Sequence, residues 1–125
     1  MKPWLAPVVL LLAACSSIDE PASEAVIDQF HGALNRQDWP AIDGLLTRST
    51  RNLRPGGGTA RSFRNITARH GRYLGGELAG MDEAGGVITV AWAARYERGP
   101  VSELFMLKSE GGAVKIDGYT DNPAL

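Results

Sequence analysis

A cluster of arginines is the feature of this sequence best suited to bind a charged ligand. Seven arginines and no acidic residue lie between Asp43 and Glu77. They are Arg48, Arg51, Arg54, Arg61, Arg64, Arg69 and Arg72. Guanidinium groups bind phosphates and carboxylates through paired hydrogen bonds, and the glycines at 56–58 would let the backbone approach a ligand closely. The cluster therefore predicts an anion-binding surface, with an ordinary solvated surface, partly paired to acids elsewhere, as the alternative. The candidate contacts are Arg48, Arg51, Arg54, Arg61 and Arg64.

Glu103 is the one carboxylate whose position suggests acid–base chemistry. Apolar residues flank it in a predicted strand, and a desolvated carboxylate has the raised pKa that a general base needs. The alternatives are a cross-strand pair with Arg95 or a side chain that faces solvent. We favour these structural alternatives.

The sequence predicts neither a metal site nor a nucleophile. His31 and His70 are the two histidines and lie in separate predicted helices, whereas zinc normally takes three or four protein ligands. No serine has the context of a nucleophile elbow, and 56–58 lacks the Lys-Ser/Thr ending of a phosphate loop. We therefore expect no catalytic residue, no metal and no cofactor, and a protein that is not an enzyme.

The first 15 residues predict where the protein works. Lys2 precedes an apolar run from Trp4 to Leu12, and small residues lead to the single cysteine, Cys15. This is the layout of a secretory signal. The run is too short for a transmembrane helix, which needs roughly 20 apolar residues, and an ordinary cleaved signal would not require the cysteine.

The stretch 12–15 resembles the lipobox of bacterial lipoproteins. The resemblance implies that 1–14 is a cleaved signal peptide, that Cys15 is acylated, with palmitate among its chains, and that 15–21 is a short tether. Ser16 after the cysteine implies the periplasmic face of the outer membrane. The lipid bilayer would then be one partner, held through Cys15.

Length and charge predict a single domain over 22–125. The chain has 125 residues and a formal net charge of −1, which gives no general attraction to nucleic acid or to anionic membranes. One cysteine allows no internal disulfide, so packing alone must stabilise the fold. Neither the oligomeric state nor the ligand follows from the sequence.

Hydrophobic periodicity predicts three helices followed by four strands. The helices are 22–36, one from the N-cap Asp38 to about Thr47, and 59–70 closed by Gly71, with a mobile loop over 48–58. The strands are 74–81, 87–96, 101–109 and 113–120, and the short turns between them favour antiparallel pairing. We therefore expect an α+β fold with helices packed on one face of a sheet in which the second and third strands are central.

The apolar positions of these elements predict the core. It comprises Phe30, Leu34, Trp39, Leu46, Phe63, Ile66, Val90, Trp92, Leu104, Phe105, Leu107 and Ile116.

Three stretches carry a resemblance to a known family. The run Phe30–Trp39, with Ile42 and Leu45–Leu46 after it, resembles the opening helices of nuclear-transport-factor-2-like (cystatin-like) domains. The stretches Tyr96–Phe105 and Lys115–Tyr119 resemble the last hairpins of small bacterial lipoproteins of unknown function with that fold. Gln37 stands where those helices often carry glycine, and Val114 where the last strand often carries tryptophan. The resemblance, which covers about 24–120, implies a curved sheet wrapped around helices into a cone, often with a pocket at its wide end.

Two functions follow as hypotheses. The first is a non-enzymatic, membrane-anchored binding or accessory module that contacts anionic envelope components or another envelope protein. The second is a small-molecule pocket protein or an enzyme of the isomerase or hydrolase type, with Glu103 as candidate base.

Overall fold

The computed structural model describes residues 18–123. The predicted signal peptide and Cys15 lie outside the described residues. The helices are α1 (Glu20–Arg36), α2 (Trp39–Leu45), α3 (Arg48–Arg51), α4 (Gly58–Ser62) and α5 (Arg64–His70). The strands are β1 (Tyr73–Ala84), β2 (Val87–Tyr96), β3 (Gly99–Glu110) and β4 (Ala113–Pro123). No described helix combines the length and the apolarity needed to cross a bilayer.

Local capping defines the first two helices. The side chain of Asp19 accepts a hydrogen bond from the Ala22 amide at 2.9 Å, so α1 begins two residues earlier than predicted. Asp38 caps α2 as predicted and accepts from the Ala41 amide at 3.2 Å. Gln37, which separates the two helices, is in the left-handed conformation with φ 56°.

The segment 48–70 differs from the prediction. The predicted loop contains α3, because the Thr47 hydroxyl caps this helix by accepting from the Thr50 amide at 3.3 Å. The predicted third helix is two helices that meet at Phe63. Around Phe63 the backbone amides bond to the carbonyl three residues back, which tightens the chain and interrupts the α-helical ladder. Gly71 ends α5 with φ 80°, as predicted.

The four strands form one antiparallel sheet in the order β1-β2-β3-β4, with β2 and β3 at its centre as predicted. Register shifts interrupt the β1–β2 ladder near Gly75 and Gly80 and the β3–β4 ladder at Met106. Such irregularities bend strands. The predicted fold class, helices packed on a curved antiparallel sheet, is confirmed.

The core lies between α1 and the concave face of the sheet. Phe30 is fully buried, and its ring centroid lies 5.4 Å from that of Phe105 and 5.2 Å from that of Phe63. Burial of a side chain of this size stabilises the fold by about 1.5–3 kcal/mol. At the other end of the helical layer, the Thr47 amide donates to the Ile116 carbonyl at 2.9 Å and attaches the end of α2 to β4.

Most of the predicted core is confirmed. The buried members are Phe30, Leu34, Leu46, Ile66, Val90, Trp92, Phe105, Leu107 and Ile116. Trp39 and Phe63 are partly buried and pack against this core. Leu104 was predicted wrongly and is 42% exposed. It alternates with buried Glu103 and Phe105, so the two-residue period of a strand places it on the outer face of the sheet.

Gly76 allows a close approach between β1 and a buried tryptophan. A Cβ atom there would overlap the indole nitrogen of Trp92 and would lie 2.8 Å from the Ala93 carbonyl oxygen. A Cβ atom at Gly80, on the same strand, would meet no atom within 4 Å.

We expect Gly76→Ala to lower the free energy of unfolding by about 1–3 kcal/mol, the usual cost of overpacking, because Trp92 must move. Gly80→Ala is the matched control and should change stability by less than about 0.5 kcal/mol. Denaturant unfolding followed by circular dichroism measures both. Equal effects of the two substitutions would contradict the close packing at Gly76.

Candidate functional site

The core contains a buried carboxylate that is held by three hydrogen-bond partners. Glu103 is 1% exposed. Its Oε1 lies 2.8 Å from Nε2 of His31 in α1. Its Oε2 accepts hydrogen bonds from the hydroxyls of Tyr96 in β2 at 2.7 Å and Tyr119 in β4 at 2.5 Å. We call these four residues the Glu103 cluster. It joins α1 to all of the sheet except β1.

The expected pairing of Glu103 with Arg95, or its exposure to solvent, was wrong. In the register Glu103 lies opposite Trp92 and Asp121, while Arg95 lies opposite Pro100 and is exposed. Glu103 therefore shares the inner face with Val101 and Phe105. Burial is tolerated because the imidazole and two hydroxyls replace the hydrogen bonds that the carboxylate would make to water.

Aromatic rings fix the orientation of His31. The ring stacks on that of Tyr73 with centroids 3.6 Å apart and planes 2° apart, and the Trp92 indole donates to the Tyr73 hydroxyl at 3.0 Å. Since an ionised carboxylate only accepts hydrogen bonds, Nε2 of His31 donates to Glu103. Nδ1 of His31 has no hydrogen-bond partner among residues 18–123.

The Glu103 cluster opposes ionisation of its tyrosines. Burial raises the pKa of Tyr96 and of Tyr119 far above the ordinary value, and the negative charge of Glu103 raises both further. Burial also raises the pKa of Tyr73, in opposition to the hydrogen bond from Trp92. These are the three tyrosines of the chain, so the tyrosine absorbance of the protein reports on the ionisation of side chains in this region.

The raised pKa values predict alkaline instability. An unfolded tyrosine releases its proton near pH 10, whereas folded Tyr96 and Tyr119 retain theirs, so the folded state binds more protons and stability falls as pH rises above about 10. Two such groups give a slope of about 2.7 kcal/mol per pH unit. Absorbance at the phenolate band should rise together with loss of circular dichroism. Reversible ionisation of all three tyrosines near pH 10 in the folded protein would contradict this prediction; protein in denaturant is the control.

The structure brings three of the five candidate arginines together. Arg54, Arg61 and Arg64 line one pocket of about 250 Å³, beside the small residues Gly58 and Ser62. An Nη1 hydrogen bond of 2.8 Å to the Gly56 carbonyl orients Arg61.

The remaining arginines of the cluster have other surroundings. Arg51 donates to the Leu46 carbonyl at 2.8 Å, and the amide of exposed Arg48 donates to Glu110 at 3.0 Å. Arg69 pairs with Asp121 at 2.7 Å, which also lies 2.7 Å from Nε2 of His70. Burial alone would raise the pKa of Asp121, but these two partners lower it below its ordinary value. Arg48, Arg51 and Arg69 therefore do not line the pocket of Arg54, Arg61 and Arg64.

Two further pockets adjoin the arginine pocket. A pocket of about 360 Å³ is lined by Arg61, Trp39 and the glycines at 56–57. A larger pocket of about 590 Å³ is lined by Arg64 and Trp39. The three pockets share these side chains, and we call them together the basic groove. Trp39 was predicted to be a core residue, and Gln37, which also lines the larger pocket, had no predicted role in a site. The left-handed conformation of Gln37, two residues before Trp39, became apparent only in the structure.

Within residues 18–123, no three histidine, aspartate or glutamate side chains come together in a way that could hold a metal ion.

Comparison with known proteins supports the fold. No protein-family model and no curated protein matches the chain. Among solved structures, the chain is similar to a SEC-C motif containing protein from Rhodopseudomonas palustris, with a TM-score of 0.61, 21% identity and coverage of 88% of this chain and 84% of that one. It is also similar to a de novo designed protein with a curved β-sheet, with a TM-score of 0.56, 11% identity and coverage of 80% and 98%. An NTF2-like protein of unknown function from Cytophaga hutchinsonii aligns with a TM-score of 0.45, 16% identity and coverage of 88% and 94%. The first two show a shared α+β architecture.

Proposed function

We propose that this protein is a lipid-anchored envelope lipoprotein that binds anionic envelope components through the basic groove and catalyses no reaction. The observation that carries the proposal is the convergence of Arg54, Arg61 and Arg64 on one pocket whose lining contains no acid. Guanidinium groups held close together bind phosphates or carboxylates well, since each interaction is a charge-assisted hydrogen bond. The proposed domain over 22–125 is of the nuclear-transport-factor-2-like kind, in line with the resemblance of its helices and hairpins.

The anchor part of the proposal rests on the sequence before the domain. The small residues that precede Cys15 suit cleavage and acylation. Helix α1 begins five residues after Cys15, so even an extended connection reaches at most roughly 18 Å. An acylated Cys15 would therefore keep the domain close to the membrane surface, where weak contacts gain from high effective concentration.

The surroundings of Glu103 support a structural role over a catalytic one. A general base must come within hydrogen-bond reach of the proton that it abstracts. Glu103 is 1% exposed, and both of its oxygens already have partners. An enzyme with Glu103 as base would need the Glu103 cluster to open for each turnover.

Acylation has a direct test. Mature protein extracted in a neutral detergent should have the mass of residues 15–125 plus acyl chains, and Cys15→Ser should leave the precursor uncleaved. Intact mass spectrometry measures both. Recovery of an unmodified chain that begins at Met1 would contradict the anchor.

The basic groove is tested by charge removal at matched positions. We expect Arg54→Gln/Arg61→Gln/Arg64→Gln to weaken binding of inorganic polyphosphate by about tenfold or more, since a tenfold change corresponds to only about 1.4 kcal/mol, less than the loss expected for three charge-assisted hydrogen bonds. Binding should also weaken with added salt. Calorimetric titration of the detergent-solubilised protein gives the affinities.

The control for the arginine experiment removes the same number of charges elsewhere. Arg36→Gln/Arg48→Gln/Arg95→Gln changes three exposed arginines that line neither the arginine pocket nor the larger pocket. This control should retain most of the affinity. If both triple variants lose affinity equally, binding depends on total charge and the groove is not the site. In-cell crosslinking of the same variants identifies the envelope partners.

A further inference from the structure

The larger pocket of the basic groove contains more than cations. Its volume of about 590 Å³ is in the range of small-molecule sites. Its lining combines an indole, two carboxamides, three guanidiniums and a carboxylate: Trp39, Gln37, Asn65, Arg64, Arg72, Arg98 and Glu97. A site for a bare anion has no use for a carboxylate or for an apolar ring surface, so this lining indicates a ligand that also has hydroxyl groups and an apolar face.

Gln37 carries a backbone cost that a glycine at the same position would avoid. It ends α1 in the left-handed conformation, with φ 56° and ψ 39°. Helices commonly end on such a residue, and glycine is the preferred type because it has no Cβ atom. A side chain retained in a strained conformation beside a cavity is a reason to suspect binding. Its carboxamide can donate to and accept from hydroxyl groups.

Hydrogen bonds to the backbone hold the side chains of Arg98 and Glu97 in place in this pocket. Nη1 of Arg98 donates to the carbonyls of Ala68 and Arg69 at 2.7 and 3.0 Å. Glu97 accepts from the Arg72 amide at 2.7 Å and retains further lone pairs for a ligand hydroxyl. No acid of residues 18–123 forms an ion pair with the side chain of Arg64 or Arg72. Two guanidiniums are thus available for an anionic substituent.

The pocket lies at the C-terminal end of α1. The helix has 17 residues and is therefore about 25 Å long. Gln37 and Trp39 come directly after its last turn.

We propose that the larger pocket binds a sugar ring that carries a carboxylate or a phosphate. The ring would lie against Trp39, since sugar C–H groups and indoles present complementary apolar faces. Gln37, Asn65 and Glu97 would bind hydroxyl or amide groups, and Arg64 with Arg72 would bind the anion. This inference rests on the proposed function, because it specifies the ligand of the same groove.

The test is calorimetric titration of the detergent-solubilised mature protein with four probes. These are N-acetylmuramic acid, glucosamine 6-phosphate, neutral N-acetylglucosamine and inorganic phosphate. We expect at least one acidic sugar to bind about tenfold or more tightly than both the neutral sugar and inorganic phosphate, and the two acidic sugars to show whether the carboxylate or the phosphate is preferred.

The substitution Gln37→Gly tests whether the Gln37 side chain contacts the ligand or has only a structural role. The substitution relieves the left-handed strain, so the melting temperature should rise by about 4 °C, while affinity for the acidic sugar should fall by about tenfold, as expected for loss of one well-formed hydrogen bond. Gln29→Ala removes an exposed carboxamide from the same helix, outside this pocket, and should not change the affinity.

The possible results distinguish failure of the sugar site from failure of the proposed function. Equal affinity for inorganic phosphate and the acidic sugars, or an unchanged sugar affinity in Gln37→Gly, would overturn the sugar site. If no sugar binds while polyphosphate still binds through Arg54, Arg61 and Arg64, the sugar site fails but the proposed function stands. If neither sugars nor polyphosphate bind, the proposed function fails as well.

Discussion

The structure depends on the burial of one negative charge. Glu103 lies at the centre of β3, and its partners come from three other elements: His31 from α1, Tyr96 from β2 and Tyr119 from β4. Isolated burial of a carboxylate is very costly, and loss of a hydrogen-bond partner by a buried polar group typically costs about 1–3 kcal/mol, more when the group is charged. The helix, the two central strands and the last strand must therefore keep their relative positions. The aromatic rings stacked around His31 add both apolar burial and orientation.

The buried core and the basic groove have different roles in the proposed function: the core holds the fold together, and the groove presents the ligand contacts. The core side chains that could do chemistry, His31 and Glu103, bond to each other, and Tyr96 and Tyr119 bond to the second oxygen of Glu103. The groove side chains lie at helix ends and in the glycine-containing segment between α3 and α4. This division fits a binding module, since a fixed scaffold presents ligand contacts on connecting segments.

The sequence predicted the elements well where periodicity and capping act locally. Asp38 and Gly71 marked helix ends correctly, and Val90 and Trp92 of β2 were placed in the core correctly. It failed where a distant partner decides the outcome. Besides its local cap at Thr47, α3 is held by Thr50, whose hydroxyl donates to the Asp117 carbonyl 67 residues away. The two-residue alternation of β3 puts Glu103 on the same face as Phe105. The three hydrogen-bond donors of Glu103 lie on other elements, however, and local sequence patterns do not show how those elements pack against β3. The groove was predicted only in part, because a cluster of arginines in sequence does not show which side chains converge.

The residues of the Glu103 cluster are far apart in the sequence, and this separation affects how the chain folds. The hairpins of the sheet are local and can form early, whereas His31 and Glu103 are separated by 72 residues and meet only after a large loop closes. Tyr119 arrives with the last strand. While either α1 or β4 has not yet packed on the sheet, the Glu103 carboxylate stays hydrated. The cost of removing it from water then opposes burial of the apolar face around it. The two ends of the domain must therefore dock together, and the charge at the centre makes assembly nearly all-or-none.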